Sequence, residues 1–165
     1  MFRYMRRSKQ VLTKEASIEI LNRNTSGVLA LYGDHAYPYA VPLNYVYSNQ
    51  RIYFHSAKSG HKIDAMKQHA KVSFCVIDQD EIIQEEYTSY FRSVIVFGQA
   101  SIVEDEKEKQ EALLALAYKY SPDLTMMQHE DTIHKEFDFV SIIALDIEHI
   151  SGKEAIELVQ RKQTK

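Results

Sequence analysis

The chain has 165 residues, 45% of them hydrophobic, enough for one globular domain spanning residues 1–165 with a sizeable core. A formal net charge of -3 and a pI near 6.2 speak against nucleic acid or an anionic membrane as the main partner. The lone Cys75 excludes an internal disulfide, and no apolar run approaches the roughly 20 residues of a membrane helix, so a cytoplasmic location off the membrane is expected.

The chain opens on Arg3, Arg6, Arg7 and Lys9, which form either a solvated basic arm or a segment that folds over an anionic ligand, the arm being favoured. No apolar stretch of the kind a secretion signal needs follows them. A helix is predicted near Thr13 to Asn22 and a strand over Gly27 to Tyr32. Tyr39, Val41, Leu43, Tyr45 and Tyr47 then recur with the period of two of a half-buried strand; Ser48, Asn49 and Gln50 make a turn, and Ile52 to His55 return. Gly60 to His69 reads as a helix with Ile63, Met66 and Ala70 on one face.

Two long strands come next. Lys71 to Ile83 carries Val72, Phe74 and Val76 on one face, and Tyr87 to Val103 carries Val94, Val96, Gly98, Ala100 and Ile102, with Glu85 and Glu86 in a solvated loop between them. Asp105 with Glu108 starts a further helix whose stripe is Leu113, Leu116, Ala117 and Tyr120, and Pro122 stops it. A final strand is expected near Phe139 to Ile150. About six strands with interspersed helices predict a mainly β fold, a small antiparallel barrel with α segments packed outside.

Chemistry concentrates where the return strand runs into Ser56, Ala57, Lys58, Ser59, Gly60, His61 and Lys62 and then directly into a helix. A helix N-terminus leaves about four N–H groups unpaired and carries partial positive charge, so an anion there satisfies both. Gly60 permits close approach, the serines can donate hydroxyls, and His61 or Lys62 can neutralise charge. Ordinary cap and turn chemistry without a ligand explains the same residue types. Other patterns fail on their mechanics. His129 and His134 are five apart, not the four that bring two zinc ligands together on a helix, and their segment reads as polar and mobile. No GxSxG elbow, Walker loop or GxGxxG fingerprint occurs. No metal site is predicted, and Cys75, inside an apolar strand pattern, reads as a buried inert thiol.

The blocks GVLAL, YPYAVPLNYVY, IYFHSAKSGHK, VSFCV, FRSVIVFGQA and SGK, after an N-terminal MRR, resemble in order and spacing the pyridoxamine-phosphate-oxidase-like flavin proteins. The Nim-type nitroimidazole resistance branch is the most similar. The resemblance implies a six-stranded antiparallel split β-barrel with peripheral helices, forming a homodimer with FMN in a groove between the subunits. It implies that Ser56, Gly60, His61 and Lys62 hold the FMN phosphate. The flavin ring then lies along the main chain of Val41, Pro42, Leu43, Asn44 and Tyr45, and Pro42 fits an edge strand or bulge. Asn44 either donates to the flavin or satisfies neighbouring backbone. Ser93 and Val94, with Arg92 as a companion, match a stretch near the flavin.

His55 matches a histidine that the family implicates in function, and its role is then proton delivery beside the reduced flavin, against simple hydrogen bonding. The implied activity is reduction of a small organic substrate, nitroimidazole-type compounds first. A pyridoxamine-phosphate oxidase is disfavoured because no second basic cluster for a substrate phosphate is found. A non-enzymatic flavin- or haem-binding protein is the reading from a different class.

Overall fold

The computed structural model describes residues 1–163. In chain order these form α1 (Lys14–Arg23), β1 (Ser26–Tyr32), β2 (Pro38–Asn44), β3 (Val46–Ser48), β4 (Arg51–Ala57), α2 (His61–Gln68), β5 (Lys71–Ile83), β6 (Thr88–Ile102), α3 (Glu106–Tyr120), α4 (Met126–Glu136), β7 (Val140–Glu154) and α5 (Ile156–Gln163). The strands make one antiparallel sheet in the order β2-β1-β5-β6-β7-β4-β3.

Seven strands replace the expected six because the predicted Tyr39–Tyr47 strand is cut at Tyr45. Its first part, β2, pairs with β1 at one edge of the sheet, and its second part, β3, pairs with β4 at the other. The hydrogen-bonded sheet is therefore not closed, yet the chain passes from one edge to the other through a single residue. The alternation survives the cut: Tyr39, Val41, Leu43, Tyr45 and Tyr47 all face the main core, with Leu29, Phe54, Phe74, Val76, Val94, Val96 and Leu145. The β3–β4 turn places Asn49 and Gln50 both at positive φ, as a two-residue turn matched to strand twist requires.

Two bulges bend the long strands. Asp78 is the extra residue where the β5–β6 register shifts between Ile77 and Gln79. Glu148 is the extra residue opposite the Phe97–Gly98 step of β6. At Gly98 the backbone of Asp146 comes so close that a Cβ would lie 2.0 Å from its carbonyl oxygen, so no side chain fits.

The helices flank the sheet as expected. Ile20 and Leu21 of α1 and Ile63 and Met66 of α2 turn inward and are buried in the main core. Thr13 caps α1 through Ala16 N–H at 3.1 Å, and Asp105 caps α3 through Glu108 N–H at 2.7 Å, the latter at the start the sequence predicts. Away from the main core, α3 lays Ala112 and Leu116 on Val46, Tyr53, Ile142 and Ala144, forming a second, smaller core. The segment expected to be polar and mobile is α4. Thr125 and Gln128 form a reciprocal cap, and His129 is buried with its ring edge-on to Tyr118 at 4.7 Å. The final strand runs past Ile150 to Glu154 and feeds α5, which the sequence reading missed.

Candidate functional site

The cut at Tyr45 creates a notch. On one side, β2 is bonded to β1 only, so the opposite backbone edge of Pro38–Asn44 has no ladder partner. On the other side, the β3–β4 ladder ends at the Val46–Tyr53 pair, while β4 continues along β7 to Ala57. The unpaired edges of β2 and of Phe54–Ala57 thus lie to either side of the Tyr45 crossing, and α2 begins at His61, four residues beyond Ala57.

Tyr45 is the apex of this notch. Its side chain is fully buried, and its hydroxyl donates to the Leu21 carbonyl at 2.8 Å. Its backbone N–H donates to the Tyr120 hydroxyl at 2.8 Å, and that hydroxyl has the carbonyls of Tyr45 and Thr25 as acceptors. Lys119 sits beside it, with Nζ 4.1 Å from the Tyr45 ring centre and 3.3 Å from the Leu21 carbonyl, and burial pushes its pKa down to about 8. The C-terminus of α3 thus supplies the polar partners that a ladder would have given the chain at this crossing.

Strand alternation sorts the predicted site residues. Val41, Leu43, Tyr45, Ser56 and Val94 turn toward the interior, Tyr45, Ser56 and Val94 being buried. What β2 offers the opening is therefore its main chain together with the exposed Pro42 and Asn44. Asn44 donates its side-chain amide to the Thr25 carbonyl at 3.0 Å. His55 is exposed on the outer face, paired in register with Ile142.

At the base of the notch, Gly60 caps α2 with φ 125, and nothing lies within 4 Å of where a Cβ would stand. The first helical bonds, from Ile63 and Asp64 N–H to the Gly60 carbonyl, leave the amides of His61 and Lys62 without helical acceptors. Lys62 is half-buried, makes no ion pair or hydrogen bond with the described chain, and has its pKa lowered by desolvation. A desolvated ammonium beside unpaired helix N–H groups is a receptor for an anion, and the donor set fits a phosphate. The His61 ring is engaged differently. It stacks on Tyr39 at 4.2 Å and places Nε2 3.6 Å from Asp34, tying the start of α2 to the start of β2.

Ser93 does not join this group within the chain. It pairs with Lys153 at one end of β7, whereas His55 pairs with Ile142 at the other. Arg92 belongs to an ion chain. Its guanidinium lies 3.2 Å from both Asp78 and Glu154; Asp78 also receives Arg23 at 2.6 Å, and Glu154 receives Lys162 at 2.7 Å. Both carboxylates are nearly sealed from solvent, so this chain joins α1, the β5 bulge, β6, β7 and α5. No pattern in the sequence marks these partners as neighbours. Cys75 is half-buried, and burial pushes its thiol pKa up, in keeping with an unreactive thiol.

Comparison with solved structures places this architecture among known ones. A candidate 5-nitroimidazole antibiotic resistance protein from Bacteroides thetaiotaomicron superposes with a TM-score of 0.72 at 21% identity, over 87% of this chain and 86% of that one. An FAD-binding protein from Mesorhizobium loti matches at 0.63 and 26% identity, over 88% and 97%. An FAD- and haem-binding protein from Mycobacterium smegmatis matches at 0.71 and 21% identity, over 89% and 73%. No curated protein sequence matches the chain. The family model for pyridoxamine 5'-phosphate oxidase matches residues 13–154, from the cap of α1 through the last residue of β7. With that match running through the notch and every strand of the sheet, the chain belongs to the pyridoxamine 5'-phosphate oxidase family.

Proposed function

We propose that the protein binds FMN in the Tyr45 notch and uses it to reduce a small organic substrate, nitro compounds of the nitroimidazole type being the leading class. The observation that carries this reading is Lys62, a half-buried cation without a counter-charge, standing at the N-terminus of α2 where β4 ends. The phosphate would take Lys62, the free amides of His61 and Lys62, and the open space at Gly60. The free main-chain edge from Val41 to Tyr45 would pair with the polar rim of the ring. His55 is the group we assign to proton delivery, being exposed on the strand that leads to the start of α2. Bound FMN would supply the electron transfer, and the chain would supply binding, orientation and the proton.

We further propose that the working unit is a homodimer. Pro42, Val28, Cys75 and Ile95 lie in one register row on the outer face of β2, β1, β5 and β6, with Val28 and Ile95 each 38% exposed. Ile77, at 63%, extends this apolar surface beside Ser93. A second copy seated here would cover the apolar row and bring its own Ser93 toward the notch that one protomer leaves without it. We place this dimer in the cytoplasm; no described helix is long and apolar enough to cross a membrane.

The test is the visible spectrum of protein purified without added cofactor, with mass spectrometry of any released chromophore. FMN, followed by reduction of a nitroimidazole with a reduced nicotinamide or dithionite, is the expected result. Haem would redirect the assignment to a haem-binding split barrel. A colourless protein that refuses added FMN would overturn it.

A further inference from the structure

The two sides of the Tyr45 notch are each lightly anchored. β2 pairs with β1 alone, and none of its residues is fully buried. On the other side Lys58, Ser59, Gly60 and His61 are all exposed, and the first core residue of α2 is Ile63. A ligand held at both ends gains from the second contact only when the two sites stand at the separation it spans.

The His61 ring bridges the two sides. It lies flat on Tyr39, with ring centres 4.2 Å apart and planes 16° from parallel. Its Nε2 faces Asp34 at 3.6 Å, and a Cβ placed on Gly33 would stand 3.5 Å from the same nitrogen, so the turn between β1 and β2 wraps one edge of the imidazole. That turn is held in a costly shape. His35 and Ala36 take φ values of 54 and 63, the left-handed region that a Cβ disfavours, while Gly33 N–H donates to the Tyr37 carbonyl at 2.9 Å and Tyr37 N–H to the Asp34 carbonyl at 3.1 Å. Tyr39 in turn packs against the main core. The Asp34 side chain is 71% exposed, where water screens an ion pair, so the ring stack supplies most of the tie.

We propose that Tyr39 is a positioning residue for the cofactor: through the His61 ring it sets the separation between the free amides at the start of α2 and the open main-chain edge of β2. This rests on the FMN reading above, in which the phosphate takes the amides and the rim of the flavin ring takes the edge. His61 then has two separate tasks. Its backbone N–H serves the phosphate, and its imidazole is the strut that joins the two sides of the notch.

The experiment is a double-mutant cycle on FMN affinity, read by flavin fluorescence with the full-length protein, its Tyr39→Leu and His61→Ala variants and the two combined. Each single change should weaken FMN about fivefold, and the combination should be no weaker than the worse single, since both remove one stack. His61→Phe can stack on Tyr39 but cannot donate to a phosphate, and it should regain most of the lost affinity. Riboflavin lacks the phosphate and engages one side only, so its affinity should be the same throughout the cycle. Additive losses, or a His61→Phe variant as weak as His61→Ala, would show that the imidazole meets FMN directly and would overturn the strut. Riboflavin weakened as much as FMN, or FMN affinity unchanged in Tyr39→Leu, would overturn it too, leaving Tyr39 a packing residue of β2. Urea unfolding reports whether each variant is folded, and the His61→Ala and His61→Phe pair decides the matter with Tyr39 intact. Those outcomes leave the flavin reading standing, whereas a native protein that binds no FMN would overturn that reading and the strut together.

Discussion

The hydroxyl of Tyr120 lies 2.8 Å from both the backbone nitrogen and the carbonyl oxygen of Tyr45, the one residue that separates β2 from β3. A strand that changes partners must leave its backbone groups unpaired at the crossing, and here a side chain from the end of α3 takes that role. Tyr120→Phe keeps the ring and removes the hydroxyl. It should cost roughly 1 to 3 kcal/mol in urea unfolding, because the Tyr45 N–H loses its acceptor in a partly buried place. An unchanged unfolding midpoint would mean that water replaces the hydroxyl and that α3 does not fix the apex of the notch.

At the base of the same notch, Lys62 is a cation partly removed from water without a protein partner. Lys62→Ala should weaken FMN about tenfold or more, read by flavin fluorescence, because the phosphate loses a charge-assisted contact. The cofactor-free protein should lose no stability, since no contact of the ammonium is removed. Equal FMN affinity would take Lys62 out of the site. His55→Ala is expected to slow nitro reduction more than it weakens FMN, and unaltered turnover would leave His55 a structural residue.

The contrast between Lys62 and Arg92 shows what a sequence can and cannot carry. Period-two alternation placed Val72, Phe74, Val76, Val94 and Val96 in the core, because burial of one sheet face is written locally. The cap at Asp105 and the strand-to-helix junction at Gly60 are local too, and the structure has them where the sequence put them. The partners of Arg92, Asp78 and Glu154, lie 14 and 62 residues away, so no local pattern could announce its ion pairs. Tyr45 looked like one more member of an alternating strand, because its special position depends on Tyr120, 75 residues later. His129 and His134 suggested a mobile segment because polarity masks an amphipathic helix whose single buried imidazole packs on Tyr118.

Asp78 joins these distant elements, and removing it tests the ion chain. Asp78→Ala leaves Arg92 with one carboxylate and takes away the carboxylate that accepts from both Arg23 Nε and Arg23 Nη2, and should cost about 2 to 4 kcal/mol in urea unfolding. Burial works to raise the Asp78 pKa, but hydrogen bonds from Arg23, Asn24 and Arg92 outweigh it and hold the carboxyl below its ordinary 3.8. A depressed folded pKa contributes stability that is complete above the unfolded value and lost as pH falls through the folded one. The gap between the native protein and Asp78→Ala should therefore narrow as pH is lowered from about 5 to about 2. A gap independent of pH would show that packing at the bulge, not charge, accounts for the loss.

Lys119 gives the opposite end of the pH scale. Burial lowers its pKa from 10.5 to about 8, although its ammonium faces the Tyr45 ring and the Leu21 carbonyl. The unfolded chain therefore binds more protons between these values, and stability rises with pH across that window. The contribution is present above the unfolded pKa and is lost as pH falls through about 8. Lys119 is only half-buried, so solvent screening reduces the effect to about 1 kcal/mol. Lys119→Met keeps an unbranched side chain on the Tyr45 ring and removes the titrating group. Urea unfolding from about pH 7 to about pH 10 should show the native protein gaining stability relative to this variant, by about 1 kcal/mol. Parallel profiles would mean that the ammonium is solvated in the folded state and that only its aliphatic stem packs against Tyr45.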